Sequence, residues 1–149
     1  MVKIISSYER ISLEEIKNFE TEYNVNLPER YKGFLLNWNG GYPKPSMFEI
    51  SVEKGVSVID HFFGIGDEES DLSDYIDVYE YRLPTGFVPI AYDPGGNVIC
   101  LGTKDPYYDN IYFWDHENEQ GDNENMSKMY FLANNIDEFL GNLYEDEDN

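Results

Sequence analysis

Along the first forty residues apolar positions recur at helical spacing, and from about residue 47 onward the pattern changes mainly to alternation. Ser12-Leu13-Glu14-Glu15 has the form of a capping box, in which the Ser12 hydroxyl accepts from the Glu15 amide while the Glu15 carboxylate reaches back. Ile16, Phe19 and Tyr23 then mark one apolar helix face. Asn24-Val25-Asn26 interrupts it. Leu27-Pro28 opens a second helix with Pro28 in its first turn, Tyr31, Phe34, Leu35 and Trp38 form its apolar stripe, and Gly40-Gly41 is expected to end it.

Strands follow. Met47–Val52 and Val56–Ile59 alternate about a turn at Glu53-Lys54-Gly55, and Phe62-Phe63-Gly64-Ile65-Gly66 runs on toward an acidic loop. Leu72, Tyr75, Ile76 and Tyr79 return to helical spacing, with Ser70 or Asp71 as cap. Phe87–Tyr92 and Val98–Gly102 read as a hairpin about Asp93-Pro94-Gly95-Gly96-Asn97, Ile111–His116 as a further strand, and Met129–Ala133 as a short one. Ile136, Phe139, Leu140 and Leu143 predict a last amphipathic helix capped by Asn134 or Asn135, before a frayed acidic tail at 145–149. Helices, then hairpin strands, then a helix describe an α+β fold with a mainly antiparallel sheet. The expectation is one domain over residues 1–149, with its core at about 11–143.

Composition sharpens this picture. Aromatic residues make up 16% of the chain and hydrophobic residues 41%, which is enough to bury a core without staples. Thirty acids against ten lysines and arginines leave a formal charge of −20. Such a surface repels phosphate backbones and anionic lipid, and it speeds capture of basic proteins. Nucleic-acid and membrane binding are therefore not expected. The amino-terminal stretch lacks a signal-type apolar run, no segment has the length and apolarity of a membrane span, and a lone Cys100 forms no intrachain disulfide, so a cytoplasmic location is the expectation.

Candidate chemistry does not converge on catalysis. Cys100 sits mid-strand between Ile99 and Leu101, where a thiolate has no electropositive support. His61 and His116 neighbour acids but have no zinc-like ligand spacing. Asp115–Asp122 resembles a calcium loop only superficially, since Gln120 stands where the turn glycine belongs. Asp93–Asn97 lacks the following helix of a phosphate cradle. No cofactor, metal or catalytic residue is assigned, and the protein is expected not to be an enzyme. The candidate partner-binding residues are two acidic clusters, Asp67, Glu68, Glu69, Asp71 and Asp74 in one and Asp115, Glu117 and Glu119 in the other, with Tyr42, Tyr107 and Tyr108 in loops as aromatic anchors.

Taken in order, Leu27-Pro28-Glu29-Arg30-Tyr31, Trp38-Asn39-Gly40-Gly41-Tyr42-Pro43, Phe63-Gly64-Ile65-Gly66, Val88–Asn97, Ile99–Gly102, Ile111–Glu117 and Ile136–Leu140 make the chain resemble the SUKH superfamily, or Smi–Knr type. That resemblance implies a bent, mostly antiparallel sheet packed with helices. It also implies an immunity protein neutralising a cognate polymorphic toxin, often a nuclease; joined to the charge of −20, the expected toxin is a basic nuclease domain, and the chain itself is expected to be a monomer or weak homodimer. The alternative it allows is a regulatory interaction module of the cell-wall or signalling type. A small hydrolase using carboxylates is the reading from a different class.

Overall fold

The protein was analysed as a computed structural model that describes residues 2–6, 8–66, 71–80, 82–116 and 126–145. Helix α1 (Leu13–Tyr23) begins with the expected box: Ser12 accepts from the Glu15 amide, Glu15 returns the contact, and Asn24 closes the helix in the left-handed conformation. Helix α2 (Glu29–Trp38) departs from expectation at both ends. Pro28 stands at the N-cap itself, and the residue that turns left-handed is Asn39, ahead of the two glycines. Asparagine is the non-glycine side chain best suited to that conformation.

Five strands form the main sheet as an antiparallel meander: β5 (His61–Phe62), β6 (Phe87–Tyr92), β7 (Val98–Gly102), β8 (Ile111–Trp114) and β9 (Met129–Ala133). Strand β7 is buried along its whole length because both sheet faces are covered there. Ile99 and Leu101 join Ile90, Phe113 and Ala133 on the inner face, packed with Ile16, Phe34 and Leu35 of the first two helices. Helix α4 (Ile136–Gly141), capped by the Asn135 side chain, completes that layer through Phe139, whose ring meets Phe48 and Phe62 edge-on. Truncating such a residue costs about 3–5 kcal/mol. On the outer face Val98, Cys100, Trp114 and Met129 form a second, smaller cluster with Leu83 and Phe87.

Smaller ribbons flank the meander. Strands β3 (Met47–Ser51) and β4 (Gly55–Val58) make the expected hairpin. Strands β1 (Lys3–Ile5) and β2 (Tyr42–Lys44) pair where none was expected, and Tyr42 therefore lies on a strand rather than in a loop. Helix α3 (Leu72–Tyr79) is capped by Asp71 and lies along β6. The observed α+β architecture, with its antiparallel sheet and packed helices, is the one anticipated from periodicity.

Candidate functional site

Two buried polar side chains hold backbone. Asn39 is fully buried, and its amide nitrogen lies 2.7 Å from the carbonyls of both Glu9 and Ile65. Asp93 is also buried; it accepts from the Gly95 and Asn97 amides, from the Asn97 side chain and from the Ser57 hydroxyl at 2.8 Å. Each is a polar group whose burial is matched by hydrogen bonds. Both fall within the ordered series that carries the family resemblance, and their role there is to hold loops.

The candidate acids divide. Asp67, Glu68, Glu69, Glu117 and Glu119 lie outside the described residues. Asp71 is buried, where it caps α3 and accepts from Ser73 at 2.6 Å. Asp115 is likewise buried, 2.7 Å from Lys54 of the β3–β4 turn. These two side chains are already committed inside the fold, because a carboxylate leaves water only with partners. Lys54 gains a proton affinity above its ordinary value chiefly from its hydrogen bond to Asp115. Asp74 and Asp77 stay exposed on α3, as does Glu80 at its C-terminal end.

The candidate aromatics also divide. Tyr107 is half-buried against Phe87 and Tyr112, at 5.5 and 5.7 Å between ring centroids, with Tyr108 exposed beside it. Tyr42 belongs to a different network. Its ring lies 5.3 Å from His61, which meets Tyr92 at 4.9 Å and Phe63 at 5.7 Å. Tyr75 of α3 stacks on Phe63 at 3.9 Å, and Tyr79 continues the row to Trp114. Asp60 stands at the rim, 3.0 Å from His61 Nδ1 and beside Tyr92. Burial first and then Asp60 push that phenol up to about 12.

The sequence offers His61 only as a residue without zinc-like spacing, yet its ring lies between those of Tyr42 and Tyr92. The signal available was the alternation through His61-Phe62-Phe63, which puts His61 and Phe63 on one strand face. His116 holds the β6–β7 turn, with Nε2 2.8 Å from the Gly95 carbonyl. Among the described residues no group of three or more His, Cys, Asp or Glu is placed to hold a metal, and no helix is long and apolar enough to cross a membrane. Cys100 is buried, and desolvation pushes its thiol up, away from the reactive thiolate.

A helix-backed antiparallel meander whose best-bonded polar side chains brace loops defines a class: a compact α+β domain of scaffold-and-surface type. The chain belongs to the SMI1 / KNR4 family (SUKH-1), whose family model matches residues 10–142. Domains of this family are known as immunity proteins of toxin systems, are generally non-catalytic, and bind cognate toxins. The chain is also similar to the SPbeta prophage-derived uncharacterized protein YokK of Bacillus subtilis (strain 168), with 27% identity over 150 residues covering 89% of this chain and 74% of that protein.

Proposed function

We propose that this protein is a cytoplasmic immunity protein that binds one cognate polymorphic toxin, a basic nuclease domain, and neutralises it by covering the surface the toxin needs. The charge of −20 supports the reading most directly. A nuclease domain must attract phosphates, so it carries the positive field that this surface complements. Family membership supplies the general kind of partner. The exposed residues Tyr42, Asp74 and Tyr108, with the acidic segments at 67–69 and 117–119, are the proposed contact points. The protein acts as a monomer or a weak homodimer and performs no chemistry of its own.

Co-expression tests this reading. The chain is produced in cells carrying each toxin domain encoded beside its gene, and growth is followed after induction of the toxin. Rescue by this chain from one toxin is the expected result. Failure to rescue from every neighbouring toxin would remove the proposal. Association should weaken with added salt, since exposed charges are screened beyond about 8–10 Å at physiological ionic strength.

A further inference from the structure

The row of rings around His61 is an interaction surface with a definite chemistry. Tyr42 is 47% exposed, and Asp60 keeps 40% of its side chain in solvent beside it. Tyr75 and Tyr92 are half-buried, so each is held by packing while part of it meets water. Their planes lie 25° apart, at 5.9 Å between centroids, and both are supported by the buried Phe63. Rings held this way bind without first losing side-chain freedom, which is what makes tyrosine effective at interfaces.

The far end of the same row shows what such rings accept. The Arg82 guanidinium lies 4.7 Å from the Tyr79 ring centroid and 5.5 Å from that of Trp114. Among the described residues no lysine or arginine is placed likewise over Tyr42, Tyr75 or Tyr92. The surroundings are acidic: Asp60 at the rim, and Asp74 and Asp77 exposed on the adjoining helix. Lys44 shares the exposed face of β2 with Tyr42, two residues along, and pairs across the ribbon with Lys3, so the positive charge here sits at the Tyr42 end of the row. Asp60 lies beside His61 and Tyr92, and Asp74 and Asp77 are exposed on the helix that carries Tyr75, so that end of the ring face is the cation-receiving part of this side of the molecule.

We propose that the face made by Tyr42, His61, Tyr75 and Tyr92, with Asp60 at its rim, receives an arginine side chain projecting from the partner protein. The guanidinium stacks on the rings and hydrogen-bonds Asp60, the two interactions that its flat, charged fork makes together. This rests on the immunity reading for the identity of the partner, and it adds where the partner is held and by which residue type.

The test uses the whole chain and the peptide acetyl-Gly-Arg-Gly-Arg-Gly-amide, with its citrulline counterpart as an uncharged match. Ring resonances of His61 and the three tyrosines are followed by nuclear magnetic resonance during titration. The expected result is saturable shifts at those rings with arginine and none with citrulline. Tyr42→Ala and Asp60→Asn should each weaken binding about two- to fivefold, while Tyr108→Ala leaves it unchanged. Equal shifts from citrulline, unshifted rings, or full binding by both Tyr42→Ala and Asp60→Asn would each overturn the proposal. So would ring shifts that follow protein concentration without peptide, which would assign the face to a second copy of the chain. The growth assay separates the two claims. Rescue by the wild type that is undiminished in the Tyr42→Ala, Asp60→Asn double variant refutes this face and leaves immunity standing; ring binding without rescue does the reverse.

Discussion

Asn39 and Ile65 are joined at two points: the Ile65 amide donates to Asn39 Oδ1 at 2.8 Å, and Asn39 Nδ2 lies 2.7 Å from the Ile65 carbonyl. The same side chain reaches the Glu9 carbonyl at 2.7 Å, so one residue ties the end of α2 to two separate segments. The backbones beneath it are in close contact. A Cβ on Gly40 would meet Phe63 backbone at 2.7 Å, and one on Gly64 would collide with the Asn39 carbonyl oxygen. Phe63 supports the aromatic face, so this crossing positions the surface as well as the fold.

Replacing Asn39 by alanine removes these bonds, leaves buried backbone groups unpaired and puts at φ 49° a residue less tolerant of the left-handed conformation than asparagine. The expected loss is about 2–4 kcal/mol. Urea unfolding should show a lower midpoint at an unchanged slope. A loss below about 0.5 kcal/mol would mean that the clamp is redundant.

Asp93 governs the β6–β7 turn in the same way. Asp93→Asn keeps its size and can keep the Gly95 and Asn97 amides on its one oxygen, but it sets a donor against the Asn97 side-chain amide and the Ser57 hydroxyl that Oδ2 accepts, and should cost about 1–3 kcal/mol. Ser57→Ala loses the hydrogen bond that links this turn to β4, at about 1 kcal/mol. Because both changes act through the Asp93–Ser57 bond, the double variant should be more stable than the sum of the two losses predicts. Strict additivity in thermal melts would contradict that coupling.

Cys100 offers a check on the outer sheet face. It is fully buried in β7 and its thiol is pushed up by desolvation. An aromatic disulfide reagent at pH 8 should label the native protein at least about a thousandfold more slowly than the denatured chain, because the thiol is reached only through opening of the sheet. Fast labelling of native protein would show that this face opens locally.

Local patterns made most of the fold legible, and non-local pairing hid the rest. The capping box at Ser12 and the Asp93–Asn97 reversal carry their own instructions within four or five residues. Strands β1 and β2 carry almost none: each has three residues, one contains Pro43, and Lys3 finds Lys44 only across the whole of α1 and α2. The surface was legible in the same uneven way. The exposure of Tyr42 agrees with its place among the candidates, but Asp71 and Asp115 are indistinguishable from solvated acids in the sequence, because only the fold shows their partners Ser73 and Lys54. Tyr75, Tyr92 and His61 come from three elements, so no stretch of sequence places their rings side by side.

Tyr31 gives the test with the clearest sign. It is fully buried in α2, and its hydroxyl has no hydrogen-bond partner among the described residues. Desolvation raises its pKa above the ordinary 10.0, so the folded state holds the neutral phenol. The unfolded chain ionises near the ordinary value, and native stability owed to this group is therefore present below pH 10 and lost as pH rises above it. Tyr31→Phe removes an unpaired polar atom and the ionisation together. At pH 7 it should leave stability unchanged or raise it by up to about 1 kcal/mol. Between pH 10 and 11 its advantage over the wild type should widen, since the variant has no phenol at this site to release a proton on unfolding. A melting-temperature difference that stays constant from pH 7 to 11 would show that Tyr31 is not held neutral by the core. A variant that is less stable at pH 7 would show that its hydroxyl contributes a bond the fold depends on.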